Sequence, residues 1–268
     1  MKDIKNLYPD QVVPLSLTFV VFGIGVLIFY FEIIILNKFI PNIEVISTAI
    51  RWPDILIGLT IYLKTSIDFA IFIGRLMNSH QGWKNRVMIE IGTAFGNILG
   101  TMLILLLWAT FKEVKILMSL MIFVASLVLL RMAEDGFNHS GSILLERILK
   151  RINSIFDPIL DRVIPHQEMK EDINGNNMKK LFMLSFSVPF ILGLDDFAGY
   201  IPLFNVINVF GFGIGVFLGH MILNIALFLS PTTTIKLVKT PVISLIGAFA
   251  FIGLALWGLF EAITIFIH

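Results

Sequence analysis

The sequence predicts an all-α polytopic membrane protein of seven transmembrane helices, with one extra N-terminal helix ahead of two inverted three-helix repeats. Three observations carry this. The 268 residues are 57% hydrophobic and only 15% charged, unlike a soluble domain. Apolar runs close to the roughly 20 residues that a helix needs to cross a bilayer recur along the chain. A glycine pattern in the third run returns in the sixth.

The runs cover approximately residues 14–36, 53–77, 87–111, 114–131, 180–203, 206–230 and 241–266. They divide the chain into a tail with its additional helix (1–51), a first repeat (52–131), a cytoplasmic loop (132–179) and a second repeat (180–268). No small-residue cleavage site follows the first run, so it is expected to be a retained span. The net charge of +1 implies no nucleic-acid footprint. The absence of cysteine excludes disulfides, thiolate metal sites, Fe–S clusters and dithiol chemistry.

Lys and Arg orient the spans. With the N-terminus inside, 15 of them fall on the inner segments and four, Lys38, Arg51, Lys112 and Lys115, on the outer ones. Lys64 is left within the membrane. The expected location is the cell (inner) membrane, with the N-terminus cytoplasmic and the C-terminus outside. In the long inner loop, Leu144, Leu145, Ile148, Leu149 and Ile152 recur at helical spacing opposite Glu146, Arg147, Lys150 and Arg151. Asp157-Pro158 reads as an N-cap and first-turn proline. Short amphipathic helices lying on the inner leaflet are expected there. Residues 165–177 read as a polar loop, and His139 and His166 as solvated side chains rather than metal ligands.

Gly92, Gly96 and Gly100 in the third run match Gly211, Gly215 and Gly219 in the sixth, each row followed two residues later by a methionine. A carboxylate-bearing run precedes each row, and a Lys-x-Val-Lys segment follows it, Lys112–Lys115 and Lys236–Lys239. Three spans per copy gives the copies opposite orientation. Inverted repeats with a midplane site are a transporter pattern. The glycine rows are read as close helix contacts, because small residues four apart let backbones approach. A phosphate cradle would need a strand-to-helix turn, which is absent here.

Asp68 in the second run and Asp195 with Asp196 in the fifth are carboxylates inside apolar sequence. A charge there costs roughly 2.5–3.5 kcal/mol on insertion scales, so it faces protein or water and serves a purpose. At ~1.5 Å per residue the two sites flank the midplane, about 5 Å to either side. Their oxygens suit hard or borderline divalent cations; the plainer alternative is polar pairing within the bundle. Asn97 belongs to a stripe with Glu90, Thr93 and Thr101 that gives the third run one polar face. His220 and Asn224, four apart in the sixth, are candidate ligands or proton carriers. Glu90 is read as an interfacial charge or a coupling group, Glu32 as interfacial, and Glu261 as an outer-interface residue or the end of the path. Lys64, one turn before Asp68, is read as its salt partner or as an internal cation that substrate or a proton displaces. Pro189 and Pro202 flank the paired aspartates and could break the fifth span.

Gly193-Leu194-Asp195-Asp196 with Tyr200-Ile201-Pro202, Thr65-Ser66-Ile67-Asp68, Ile91-Gly92 with Gly96-Asn97, and Gly253-Leu254 with Glu261 together resemble the motifs of the cadmium-resistance transporter (CadD-like) family of the LysE superfamily. The resemblance covers roughly residues 52–266. It implies a 3+3 inverted-repeat exporter of divalent cations with Asp68, Asp195 and Asp196 at the ion site. Where that family carries a Cys before its second acidic motif, this chain has Val188-Pro189-Phe190-Ile191-Leu192, which shifts the expected ion from soft Cd²⁺ toward Mn²⁺. Span 1 and Lys64 have no counterpart in the pattern.

The expected function is therefore a non-enzymatic membrane transporter exporting a divalent cation by alternating access, against protons. The metal set is Asp68, Asp195, Asp196, Asn97, His220 and Asn224, with Lys64 and Glu90 as coupling or counter-ion groups. No cofactor is expected, the metal being substrate. The expected partners are the lipid bilayer, the cation and protons, with no nucleic acid; the oligomeric state stays open, a homodimer included. Two rivals remain: an exporter of amino acids or small metabolites, and a non-transporting membrane subunit or scaffold.

Overall fold

The computed structural model describes residues 4–40, 45–80, 82–163, 178–191 and 200–267. Every regular element among them is a helix: α1 (Ile4–Phe39), α2 (Trp52–Thr65), α3 (Ile67–Ser79), α4 (Trp83–Phe111), α5 (Lys115–Ser140), α6 (Ile143–Val163), α7 (Met178–Ile191), α8 (Ile201–Phe204), α9 (Val209–Leu229), α10 (Pro231–Val238) and α11 (Pro241–Ile267). Helices α1, α4, α5, α9 and α11 are each long and apolar enough to cross a membrane. The pair α2–α3 makes a sixth if its halves form one span. This is the make-up of a multi-pass membrane protein. The fifth apolar run is described only in part, and Asp195 and Asp196 lie outside the described residues, as do His166 and the rest of 165–177.

Local chemistry sets the boundaries. Prolines stand in the first turn of α2, α8 and α10, where the missing N–H costs no hydrogen bond. The Asn208 side chain accepts from the Gly211 N–H at 2.7 Å and so caps α9. Its amide also donates to the Ser47 carbonyl, tying the extended segment before α2 to the start of α9. Helix α5 runs past its expected end to Ser140 and stops at Gly141, whose φ of 77° favours a residue without Cβ.

Two expectations are corrected. The inner-loop helices expected to break at Asp157-Pro158 are one helix, α6, with Pro158 inside it. The Asn153 amide anchors that helix to α5, donating to the Leu130 carbonyl and the Glu134 carboxylate. The second run is not straight: α2 and α3 meet at Ser66 with a bend of 63°. The Thr65 hydroxyl there donates back to the Tyr62 carbonyl, a bond that competes with the helix ladder and favours bending.

Lipid tails are as apolar as leucine, so helices in a bilayer associate through close packing rather than through the hydrophobic effect. Glycines make the closest approaches here. A Cβ on Gly211 would meet Asp54 and the Arg51 carbonyl, and one on Gly215 the Ile55 carbonyl; both rows place α9 parallel to α2. A Cβ on Gly92 would meet Ser185 and the Phe182 carbonyl, and one on Gly96 the Phe186 carbonyl and Pro189; these place α4 parallel to α7. Residues 182, 185 and 186 thus stand to Gly92 and Gly96 as 51, 54 and 55 stand to Gly211 and Gly215. Helices α5 and α11 pair antiparallel, with the Ser119 hydroxyl on the Ala262 carbonyl at one end and Phe137 edge-on to Phe249 at the other. Helix α1 packs into the groove between α4 and α9. Gly25 admits the Ile98 side chain, and Phe29 sits against Gly213 between the rings of Phe210 and Phe217.

The glycine contacts predict that Gly215→Ala and Gly96→Ala each push backbones apart, at a cost of about 1–3 kcal/mol. In detergent this appears as a melting temperature lower by about 3 °C or more. Gly23→Ala, where a Cβ meets nothing within 4 Å, should leave it unchanged or raise it. Equal melting of all three would contradict the packing.

Candidate functional site

The parallel α2–α9 contact and the α4–α9 crossing bring five polar side chains together in otherwise apolar surroundings. Glu90 and Thr93 on α4 and Asn224 on α9 are fully buried, with 0% of their surface exposed. Tyr62 on α2 and His220 on α9 are also buried. Residues 220 and 224 lie one helical turn apart, as do 90 and 93, so each helix presents a two-residue polar step at the crossing.

The contacts form a chain. The Asn224 amide nitrogen lies 2.7 Å from Glu90 Oε2, 3.0 Å from His220 Nε2 and 3.4 Å from Thr93 Oγ1. His220 Nδ1 lies 2.7 Å from the Tyr62 hydroxyl. The His220 ring also packs against Phe69 on α3, centroids 5.7 Å apart, and edge-on to the Tyr62 ring. An amide nitrogen only donates, and it has two hydrogens. The two nearest acceptors, Glu90 and His220 Nε2, take them. His220 then carries its proton on Nδ1 and donates to Tyr62.

That pattern suits an ionised Glu90. With the amide turned over, Asn224 Oδ1 faces the same groups, and it accepts from a protonated Glu90 and from a proton on Nε2. Tyr62 then donates to Nδ1. The cluster therefore has two alternative hydrogen-bond patterns that differ by one proton and by the His220 tautomer. In the orientation present, Asn224 Oδ1 and Glu90 Oε1 are buried without a partner, and so is Asn97 Nδ2 nearby. A cavity of about 10 Å³, close to the size of one water, touches Thr18, Asn97 and His220. Helix α1 supplies Thr18, Val21 and Phe22 to its wall. Helix α1 thus closes the polar cluster on one side.

Asn97, His220, Asn224 and Glu90 fall in one region, as their spacing suggests. Glu90, read from the sequence as an interfacial charge or a coupling group, is buried and bonded to Asn224 at the centre of the hydrogen-bond chain. Glu32 is likewise buried, with one carboxylate oxygen unpartnered. Asp68 is exposed at the start of α3, beyond the bend at Ser66, while its neighbour Phe69 covers His220. The Lys64–Asp68 salt pair does not form, because the bend takes residue 68 off the helical face that carries Lys64. The Lys64 ammonium donates instead to the Ile243 carbonyl on α11 at 2.7 Å. Glu261 is held from α11 by a relay: the Trp108 indole donates to Asn205 at 2.9 Å, and the Asn205 amide to Glu261 at 2.8 Å. Among the described residues no three His, Cys, Asp or Glu side chains gather closely enough to hold a metal ion. Any metal ion held by Glu90 and His220 would need amide, hydroxyl or water oxygens to complete its shell.

Tyr62 was not among the sequence-derived candidates. Its signal was available: it lies in the carboxylate-bearing run, two residues before Lys64. Only the register of α2 on α9 shows that it reaches His220.

Tyr62→Phe leaves a buried imidazole nitrogen without its partner and should cost about 1–3 kcal/mol. Asn224→Leu strips both Glu90 and His220 and should lower the melting temperature further. A melt of the purified variants checks the order, and an unchanged Asn224→Leu would contradict the chain as drawn. Against known proteins, no family model, no curated protein and no solved structure matches this chain.

Proposed function

We propose that this chain is a membrane transporter that moves a divalent cation outward by alternating access, in exchange for protons. The observation that carries the proposal is the buried Glu90–Asn224–His220–Tyr62 chain at the meeting of α2, α4 and α9. It offers hard and borderline donors to a cation and two proton states to a counter-ion. A purely structural pairing would not need both a carboxyl and an imidazole without a compensating cation.

The reading takes the chain as seven spans, with α2–α5 and residues 180–268 as two inverted three-helix units and α1 as an addition. Its support is the exchange of contacts. The first helix of each unit packs along the second helix of the other, α2 on α9 and α7 on α4, and the third helices pair with each other. Rocking of one unit against the other would open the polar chain to alternate sides. The short motifs shared with CadD-like transporters of the LysE superfamily agree with this, and Asp68 keeps a place as an ion-path residue on α3. The lysine and arginine distribution puts the N-terminus in the cytoplasm and the C-terminus outside. The cysteine-free sequence favours Mn²⁺ over Cd²⁺ as cargo.

Purified protein in liposomes should carry Mn²⁺ down its gradient, read with a lumenal metal-sensitive dye. Glu90→Gln and His220→Gln should each slow the flux by at least about tenfold, and Asp68→Asn should slow it as well. Absence of metal flux from folded wild-type protein, or full flux in Glu90→Gln, would overturn the proposal.

A further inference from the structure

A wide, open cavity of about 740 Å³ lies at the end of the bundle where α4 stops and α9 starts. Its cations are engaged: Arg51 holds Asp54 at 3.2 Å, and Lys112 and Lys115 both have partners. Two arginines of α6, toward the other end, differ in this respect. Helix α5 stops at that end where α11 starts, since a Cβ on Gly136 would meet Ser244 and Ala248. The chain turns at Gly141, and α6 doubles back along α5. Asn153 reaches the Leu130 carbonyl and the Glu134 carboxylate, and Phe156 stands edge-on to Phe123, ring centroids 6.3 Å apart. The first turns of α6 therefore lie near the boundary of the α5 span, and its later turns lie beside that span.

At about 3.6 residues per turn, α6 presents three faces. Leu149 and Asn153 are buried on the side toward α5. Leu144, Ile148 and Ile155 share a second face and are 74%, 49% and 70% exposed. Arg147 and Arg151, one turn apart and both exposed, border this apolar face. Glu146 and Asp157 project from the opposite side, together with Lys150. Among the described residues neither arginine side chain has an ion-pair partner. Like charges four residues apart oppose each other on a helix, so an anion between them is rewarded. A guanidinium fork takes phosphate oxygens in pairs, while its stem lies along apolar surface. Phe123, which touches α6, is itself part-exposed on a span, so the apolar face of α6 continues a surface that meets lipid.

We propose that α6 binds an anionic phospholipid, its headgroup between Arg147 and Arg151 and its acyl chains against Leu144, Ile148 and Ile155. The inference rests on the chain being a membrane protein and not on what it carries. Its readout is equilibrium binding, so it stands or falls apart from metal flux.

The sequence has no cysteine, so Ser154→Cys supplies a single thiol for an environment-sensitive dye beside the two arginines. Labelled protein in an uncharged detergent is titrated with phosphatidylglycerol or phosphatidylcholine. A saturable fluorescence change is expected, with phosphatidylglycerol at least about tenfold tighter than phosphatidylcholine. Arg147→Gln with Arg151→Gln should remove that preference, whereas Lys150→Gln should change it by less than about threefold. The charge-keeping pair Arg147→Lys with Arg151→Lys should leave an intermediate preference. Equal affinity for the two lipids, or an undiminished preference in the double-glutamine variant at the wild-type melting temperature, would overturn the proposal. So would a light-scattering mass of two copies that falls to one in that variant, which would assign the face to a second copy of the chain.

Discussion

Backbone-to-backbone contact at glycine is the constraint on which the rest of this bundle depends. Gly92 and Gly96 let α7 lie directly on α4, and Gly211 and Gly215 let α2 lie directly on α9. In a medium that gives apolar side chains no reason to leave it, such contacts supply the dispersion energy that holds helices together. They also set the register. With α2 pressed onto α9 at Ile55–Gly215, Tyr62 arrives opposite Gly219, one residue from His220, and its hydroxyl meets the imidazole. A bulkier residue at Gly211 or Gly215 would push α2 off α9 and strain that hydrogen bond.

The polar chain is the counterpart of that dry packing. A carboxyl, an amide, an imidazole and a phenol are held out of bulk solvent, so each unsatisfied atom is expensive and each proton position matters. The single amide of Asn224 serves both Glu90 and His220, which makes their proton states dependent on one another. The wide cavity at the end of the bundle has the opposite character. It is open, lined by both charged and apolar side chains, and it shares no residue with the buried chain. The two sites are joined through α9, whose N-terminus borders the cavity and whose middle carries His220 and Asn224.

Much of the fold was legible from apolar run length and from the repeated glycine rows, because both reflect requirements of the bilayer itself. The helix contacts expected of those rows are present. The polar stripe at 90, 93 and 97 and the pair 220 and 224 were legible from helical spacing. The depth of Glu90 was not: it lies in the second turn of a 29-residue helix, and its burial comes from Asn224 and from packing by α1, which sequence distance hides. The fate of Lys64 and Asp68 was also hidden, since a bend at a single serine decides whether residues four apart share a face. Matching motifs set Asp68 against Asp195 or Asp196, whereas the glycine contacts set residue 55 against 186. The two alignments differ by about one helical turn, so motif similarity and packing register are separate sources of information here.

The claim that the buried chain couples cation movement to protons has a direct test. Liposomes containing the protein and a lumenal pH dye are given an inward Mn²⁺ gradient. The account predicts that lumenal pH rises as protons leave in exchange, and that Glu90→Gln abolishes the rise. Manganese entry with no pH change in the wild type, or an undiminished rise in Glu90→Gln, would contradict it.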